Sequence, residues 1–540
     1  MTPDECINRQ EQLETERATW EQTWQDIIDY CIYNRYPVIG HREPGEIEHD
    51  FIYDSTAYKS LMRLAAALNS MLTNQSSEWF QLTTDDQEAN EIPEVAEWLD
   101  KVSQEIREAF ENSNFYTEVH EMYIDMASIG TGILYIEDSP TPEKDLNFST
   151  RHIREIYMAE DPEGTVDTIF RKFKMTAKQV FQKWGDKVSD AVKSDYEKAP
   201  DEEHFILHCV YPREERNSSK RDTKNMPWAS QWIEIETRHV LGEGGYEVFP
   251  YVVPRWTKTS GEKYGRSPAL AALPDIKTLN AMVETLLKTG QKIADPPLQV
   301  PEETIDVDLT PGGINYFDAQ LDGRIEPIII GANLPITHDL VTELRDSVRD
   351  TFYVTQLQLI DKRDMTAEET RVRTDENMRV LGPTFGRLQS EFMERLVTRV
   401  LNILQYILNV DGTPRIPVPP EVIQGKQLRL KYMSPLAKAQ KFDEYRSITT
   451  TVNIAGQWAG IDPSVLDNIN FDVALRMTAD LDGTPKKLFN DPETIQAIRQ
   501  NRAQQQQVAQ QLQMAEAQAD IKRKEADSAK KIAQAQSENE

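Results

Sequence analysis

From Met365 to Asn409 the chain reads MTAEETRVRTDENMRVLGPTFGRLQSEFMERLVTRVLNILQYILN, and this stretch decides the fold. It opens with the capping box Thr366-x-x-Glu369, whose hydroxyl and carboxylate each accept a backbone amide that the first turn leaves unpaired. Gly382-Pro383 interrupts the pattern, and because proline removes a backbone donor we predict a kink there, in a helix of roughly 65 Å. Apolar residues recur three or four positions apart on one face: Met378, Leu381, Phe385, Leu388, Phe392, Leu396, Val400, Ile403 and Ile407.

The region before this helix, residues 1–263, predicts a domain that combines helices with sheet. Thr2 caps the first helix with Pro3 in its first turn, and Gly130 ends the fourth helix in a left-handed cap. From Ile133 onward the apolar period changes to two, and Gly242–Gly245 predicts a hairpin turn between two strands. The predicted helices begin near residues 2, 54, 94, 116 and 177, and the predicted strands are 133–136, 153–158, 166–173, 205–211, 230–238 and 246–253.

Two helices frame a proline-rich segment in the middle of the chain. Pro268 begins a predicted helix that reaches about Ile293, and a second one spans about Thr337–Val354. Between them, Asp295–Pro335 is rich in proline and glycine with short β-like runs, which predicts a small module whose entry and exit lie close together. A polar loop, Thr355–Asp364, leads into the long helix.

The chain beyond the long helix is mainly helical. A proline-rich loop precedes a predicted strand at Leu428–Tyr432 and a helix at Pro435–Ala455, and Asp462 caps the next helical segment. A last helix begins at Asp491-Pro492 and continues to the Gln/Ala-rich end. Alone in water its second half buries too little apolar surface to be stable. It is therefore either ordered by several copies packing side by side or a frayed tail.

Composition bounds the class of protein. The chain has 540 residues, of which 39% are hydrophobic and nine are Trp, enough for a real core. We expect no membrane span, because no run of about 18 apolar residues occurs, and no signal peptide at the N-terminus. Three scattered cysteines predict free thiols in a reducing compartment. The net charge is −30, so the general surface cannot bind a phosphate backbone. The alternative explanation of this acidity is that it only keeps the protein soluble.

Catalytic and metal-binding patterns are not found in the sequence. The only Gly-Lys pair, Gly425-Lys426, is followed by glutamine, so the chain is not an ATPase of the phosphate-loop class. His204 and His208 lie in a β-rich run, where strand geometry separates them by about 13 Å. We therefore predict no cofactor and no metal, and a protein that is not an enzyme.

The order helix, proline-rich module, helix, polar loop and long kinked helix resembles the portal (head-to-tail connector) proteins of tailed bacteriophages, and more narrowly those of short-tailed, T7-like phages. Each motif alone is weak, but their order and spacing are specific over nearly the whole chain to about residue 480. The resemblance rests on these residues: Ser55–Phe80, Gly132-Ile133-Leu134-Tyr135, Pro250-Tyr251-x-x-Pro254-Arg255, Tyr264-Gly265-Arg266-Ser267-Pro268, Met365-Thr366-Ala367-Glu368-Glu369 and Tyr432-Met433-Ser434-Pro435-Leu436-Ala437-x-Ala439-Gln440.

The resemblance implies an α+β, mainly helical portal fold, assembled as a dodecameric ring around a channel for double-stranded DNA at one capsid vertex. It implies a wing, two stem helices, a clip, a channel loop and a crown. The corresponding residues are 1–263 (wing), 264–294 (first stem helix), 295–336 (clip), 337–354 (second stem helix), 355–365 (channel loop), 366–410 (long wing helix), 411–490 (wing and crown helices) and 491–540 (C-terminal helix or tail).

The resemblance also implies the partners. The clip would dock the terminase large subunit first and a tail adaptor later, while major capsid and scaffolding proteins surround the ring. The protein would be a virion component assembled in the host bacterial cytoplasm. The clip residues expected at the docking surface are Pro296, Pro297, Pro311, Gly312, Gly313, Tyr316 and Phe317.

A moving duplex must not be held, because each phosphate contact adds salt-dependent affinity, so an acidic channel with few cations suits the task. The candidate cations are Lys362 and Arg363 in the loop, then Lys288 and Lys292 on the first stem helix. The alternative is that all four are ordinary solvated or ion-paired residues. Two other functions remain open: a different virion structural protein, such as an internal core or scaffold component, and an unrecognised cytosolic enzyme.

Overall fold

The computed structural model places the chain in two compact units. The first comprises Met1–Asp85, Leu99–Val418 and Lys426–Glu444, and the second comprises Asp86–Trp98, Pro419–Gly425 and Tyr445–Glu540. Among the described residues, no helix has both the length and the apolar composition for a membrane crossing. The structure describes residues 1–43, 45–46, 49–139, 144–217, 219–220, 222–296, 298–299, 326–327, 334–358, 382–408, 413–432, 435–482, 488–490 and 492–537.

The N-terminal helices follow the predicted caps. Helix α1 begins after Thr2, whose side chain and that of Glu5 form the capping box. Helix α5 ends at Gly130, which adopts the predicted left-handed conformation with φ of +95°. Cys6, Cys31 and Cys209 are buried free thiols, as predicted. The helices are α1 (Pro3–Cys31), α2 (Thr56–Leu72), α3 (Gln87–Glu91), α4 (Pro93–Glu111) and α5 (Phe115–Ile129).

A five-stranded antiparallel sheet, in the order β4-β5-β6-β7-β8, is the largest in the first unit. One apolar cluster joins Leu13 of the first helix to Phe170 and Leu207 of the sheet. A second cluster joins Val180 and Val192 of two short helices to other sheet residues. The elements are β4 (Ile156–Glu160), β5 (Val166–Thr176), α6 (Ala177–Trp184), α7 (Asp190–Lys198), β6 (Glu203–Pro212), β7 (Trp228–Glu234) and β8 (His239–Tyr246).

The hairpin turn predicted at Gly242–Gly245 is wrong. Strand β7 pairs with β8 from Trp228↔Tyr246 to Glu234↔His239, so the turn occupies residues 235–238 and the glycines lie inside β8. The physical reason is close packing: a Cβ on Gly245 would lie 2.3 Å from the carbonyl oxygen of Thr223. Glycine is required there to let two chain segments approach, which produces the same sequence signal as a turn.

Two smaller sheets join segments that are distant in sequence. The predicted strand at 428–432 is confirmed, and its antiparallel partner at 80–84 was not predicted. The second sheet places β2 between β3 and β9. Pairing with a remote segment defines these short strands, so local periodicity is a weak guide. The strands are β1 (Phe80–Thr84), β2 (Leu134–Asp138), β3 (Leu146–Thr150), β9 (Tyr251–Val252) and β12 (Leu428–Tyr432), while β10 (Leu298–Gln299) and β11 (Glu326–Pro327) form a separate ladder.

The described part of the long helix carries the predicted apolar stripe on its buried face. Phe385, Leu388, Phe392, Leu396, Val400 and Ile403 are all buried. Residues 382–388 (α11) lead into a π turn at Gln389–Met393, followed by α12 (Glu394–Leu404). The predicted bounds 366–410 are therefore wrong at their end, since the helix ends at Leu404. Gly382 and Pro383 are helical at the start of this part, and residues 365–381, needed to judge the kink, lie outside the described residues.

The remaining elements are helical. Pro268–Ala294 (α8), Leu334–Thr351 (α9) and Val354–Gln358 (α10) belong to the first unit, and α13 (Pro435–Ala459) follows β12 in the chain. The predicted bounds Thr337–Val354 are wrong for α9, and the predicted loop at Thr355–Asp364 is wrong at its start, where α10 is helical. The break between the two helices includes Tyr353, whose positive φ of 58° is incompatible with a continuous helix. In the second unit, Asp462 caps a 3₁₀ segment at Pro463–Asn468 as predicted, and α14 (Phe471–Asp482) follows. Helix α15 spans Pro492–Ser537, and an ion pair of 2.7 Å joins its Arg499 to Asp472.

Candidate functional site: the paired helices α8 and α9

Two glycines hold the residues just before α8 against the end of α5. A Cβ on Gly265 would lie 2.1 Å from the carbonyl oxygen of Gly130, and a Cβ on Gly130 would lie 2.3 Å from that of Gly265. The Gly265 amide also donates to the Thr131 hydroxyl at 2.9 Å. The helix that follows therefore leaves the domain in one defined direction.

Ser267 and Pro268 then start the helix. The Ser267 hydroxyl accepts from the Leu270 amide at 2.9 Å and donates to the carbonyl of Ser128. Proline suits the first helical position, where its missing amide would have no intrahelical partner. The prediction of a helix that begins at Pro268 is confirmed, and it extends to Ala294, one residue beyond the predicted end.

Helix α9 packs along α8 in the antiparallel sense. The Ser347 hydroxyl, near the end of α9, donates to Asp275 near the start of α8 at 2.7 Å. Arg345 of α9 forms an ion pair of 2.8 Å with Asp54, the residue before the N-cap of α2. Burial opposes ionisation of Asp54, but hydrogen bonds from Thr56 and Arg345 outweigh it and lower the pKa of Asp54. The base of the helix pair is thus tied to the N-terminal helices.

The far half of the pair has little cover. Val283 is the last buried residue of α8, and beyond it the helix continues for three turns to Ala294. Leu287 is 51% exposed and Ile293 is 47% exposed, while Leu340 on α9 is 46% exposed. This half of the pair therefore exposes three large apolar side chains, and an exposed apolar patch is a feature of surfaces that bind a partner.

Two of the four sequence-predicted channel cations, Lys288 and Lys292, lie on this far half. Lys288 forms an ion pair with Glu284, one turn earlier, at 2.6 Å, and this contact raises the pKa of Lys288. Lys292 is exposed in the last turn. The pairing of Lys288 within its own helix favours the alternative of an ordinary ion-paired lysine for that position. Lys362 and Arg363 lie outside the described residues.

The two ends of the segment between α8 and α9 lie side by side, as predicted. Leu298 pairs with Pro327 and Gln299 pairs with Glu326 in a two-residue antiparallel ladder. Pro296 is half-buried just before it. The other predicted docking residues lie outside the described residues: Pro297, Pro311, Gly312, Gly313, Tyr316 and Phe317.

Sequence reasoning missed a buried ion pair that joins the long helix to the rest of the first unit. Arg255 is 1% exposed, and its backbone amide and guanidinium donate three hydrogen bonds to Glu391, at 3.0, 3.2 and 2.7 Å. It also forms an ion pair with Glu160. Burial would lower the pKa of Arg255, but the two carboxylates raise it. Glu391 lies within the π turn, so this turn aims its carboxylate at Arg255.

Comparison with known proteins decides the family. The sequence model described as "Bacteriophage head to tail connecting protein" matches residues 3–489. The chain belongs to this family. The predicted resemblance to portal proteins is thereby confirmed, and because the family is structural, the chain is not an enzyme.

Relatives of this connector chain carry matching names. It is 32% identical over 522 residues to the "Probable portal protein" of Bordetella phage BPP-1 and 30% identical over 527 residues to the "Portal protein" of Salmonella phage epsilon15. Each alignment covers 94% of this chain and 92% of the relative. It is also 22% identical to the "Portal protein" of Escherichia phage T7, covering 84% of this chain and 82% of the relative.

Proposed function

We propose that this chain is the portal subunit of a tailed phage, a component of the virion that joins head to tail at one capsid vertex and conducts double-stranded DNA. The family match over residues 3–489 carries this proposal. The exposed apolar residues on the far half of α8 and α9 support it, because a closed ring buries such surfaces between neighbouring copies. A ring of twelve copies is the assembly implied by the resemblance.

The subdomain assignment is part of the same proposal. Residues 1–263 and the segment 366–410, which contains the long helix that ends at Leu404, form the wing, and the crown and tail follow from residue 411. The stem is the helix pair, 264–294 with 337–354. The clip is the segment they carry, 295–336. The antiparallel packing of α8 with α9 supports a stem made of two helices, although α9 spans Leu334–Thr351 rather than 337–354, and the ladder at Leu298–Gln299 supports a clip whose two ends lie together.

The partners follow from the position in the particle. The clip, with Pro296, Pro297, Pro311, Gly312, Gly313, Tyr316 and Phe317 as its docking residues, takes the terminase large subunit during packaging and a tail adaptor afterwards. Major capsid and scaffolding proteins surround the ring, which assembles in the host bacterial cytoplasm. Because the chain supplies no motor, the packaging energy comes from the separate terminase.

Lys362 and Arg363 lie in the segment 355–365 assigned as the channel loop, whose first residues belong to α10, and they position the duplex in an otherwise acidic channel. Each chain carries a net charge of −30, which repels DNA from most of the lumen, so a few cations suffice to centre the strand. Lys292 at the exposed end of α8 is a further candidate, and Lys288 a weaker one because Glu284 already pairs with it.

The assembly is tested by imaging and sedimentation of the purified chain. Rings with a central hole are expected, and a monomer at every concentration would refute the proposal. Leu287→Asp should prevent ring formation, because it places a charge where a neighbour buries an apolar side chain. Ile39→Asp, at a position 45% exposed in a loop of the first unit, is the matched control and should assemble normally. Rings also separate this proposal from an internal core or scaffold component.

The channel contact is tested in packaging assays. Lys362→Ala with Arg363→Ala should leave rings intact and reduce DNA packaging or retention. The double variant Lys178→Ala with Lys198→Ala, at exposed positions on α6 and α7, is the control for loss of two charges. Normal packaging and retention by the loop variant would show that these residues do not contact the duplex.

A further inference from the structure

A basic surface cavity of about 850 Å³, wide open to solvent, lies in the first unit between β5 and α6. Four cationic side chains line it: Arg151, Arg171, Lys174 and Lys183. The glutamines of α6, Gln179 and Gln182, complete its polar wall. Such a concentration of positive charge is notable in a chain with 90 acidic and 60 basic residues, because most of its surface has the opposite sign.

Two of these cations have no carboxylate partner among the described residues. Lys174 pairs with Glu203 at 2.7 Å and Arg171 with Glu155 at 2.8 Å. Arg151 instead lies over the ring of Tyr135, and its buried Nε has no hydrogen-bond acceptor in the described part of the chain.

The ammonium of Lys183 lies 3.9 Å from the centre of the Trp232 ring. Desolvation lowers the pKa of Lys183 and that of Arg151, and the charge of Arg171 adds to this effect, while the carboxylate of Glu137 offsets part of it. The cluster is therefore under mutual repulsion that a bound anion would relieve.

The cavity also borders a free strand edge. The pairing of β4 with β5 stops at Ile156, the first residue of β4, which lies opposite Arg171. Strand β5 continues from there to Thr176 and pairs only with β6. Over Lys172–Thr176 the described residues supply no strand on the side that β4 leaves open. Phe173 and Met175 of this edge line the cavity. Unpaired backbone groups of a strand are a template for an added strand.

We infer that a neighbouring copy of this chain inserts an extended, acidic segment into this cavity and adds a strand to the β5 edge. The inference rests on the proposed ring. A peptide fits better than DNA, because a peptide backbone can pair with the strand edge while its carboxylates meet the cations. Copies of a −30 chain repel one another, and ring closure needs two different, complementary faces on each copy. The cation cluster provides one of them.

The first test is charge reversal on α6. Lys183→Glu should raise the subunit concentration needed for half-assembly by about tenfold in sedimentation velocity, since it replaces an attraction by a repulsion at every interface. Lys178→Glu makes the same change on the same helix at an exposed position outside the cavity, and it should assemble as the wild type does. Equal assembly of the two variants would overturn the inference.

The second test is hydrogen exchange on full-length wild-type chain, comparing rings with the unassembled fraction. Amides within Lys172–Thr176 should become at least tenfold more protected in rings. If rings form but these amides do not change, the inference fails and the proposed function stands. If the wild type forms no rings, both fail. Protection of the unassembled chain by a DNA oligonucleotide, or protection found only in complete virions, would assign the site to another partner and overturn the inference.

Discussion

The buried pair of Arg255 and Glu391 gives a prediction whose magnitude follows from the structure. Glu391→Ala removes the acceptor of three hydrogen bonds from a residue that is 1% exposed. Breaking a buried ion pair costs about 3–5 kcal/mol, because the remaining charge stays desolvated. Arg255 keeps Glu160, and the Glu391 side chain is 20% exposed, so we expect the lower end, about 3 kcal/mol.

The assay is native-state hydrogen exchange at the amides of α12, because it reports the local opening of this helix separately from the unfolding of the rest of the chain. A loss of about 3 kcal/mol corresponds to a decrease of roughly 100-fold in protection. Glu394→Ala, an exposed position in the first turn of α12, is the control and should change the opening free energy by less than about 0.5 kcal/mol.

A third variant separates charge from packing. Arg255→Met combined with Glu391→Leu replaces the pair by apolar side chains, while Glu160 keeps its ion pair of 2.6 Å with Lys258. This double variant should recover most of the lost protection, because no unpaired charge remains buried. If Glu391→Ala behaves like Glu394→Ala, the ion pair does not hold the long helix and the reasoning is refuted.

Two further predictions concern stability. Gly265→Ala should lower the thermal unfolding midpoint by several degrees, because its Cβ would lie 2.1 Å from the Gly130 carbonyl, whereas Gly290→Ala, with open space around its Cβ, should stabilise α8 by roughly 1 kcal/mol. Burial raises the pKa of Asp125 to about 6 despite the Arg35 ion pair. The folded state therefore favours the neutral carboxyl, and the resulting stabilisation is complete below about pH 4 and is lost as the pH rises through 6. Asp125→Asn should remove up to roughly 3 kcal/mol of this pH dependence in urea titrations between pH 4 and 7, and an unchanged slope would contradict it.

The helices with their own caps could be predicted from sequence. Thr2 with Pro3, Ser267 with Pro268 and Asp462 with Pro463 each fix a helix start by local chemistry, and the structure has all three. The stripe from Phe385 to Ile403 was equally predictable, since a helix period of 3.6 shows within one segment.

Features set by distant contacts could not be predicted. The π turn at Gln389–Met393 has no local signal, and Arg255, 136 residues earlier in the chain, contacts its carboxylate. Strand β1 is defined by its pairing with β12, and the need for glycine at position 245 of β8 arises from the approach of Thr223. In the candidate site, the two helices and the close approach of the ends of the segment between them were predictable from sequence. The cavity lined by Arg151 and Lys183 was not, because it forms only when β5 and α6 are folded together.

The two-residue ladder between Leu298–Gln299 and Glu326–Pro327 has an evolutionary consequence. It brings the ends of residues 300–325 together, so the remainder of the subunit imposes no length on that insert, and closing a longer loop costs only about 0.6 kcal/mol per doubling. Exchange of this segment between related phages is therefore compatible with an unchanged scaffold around it.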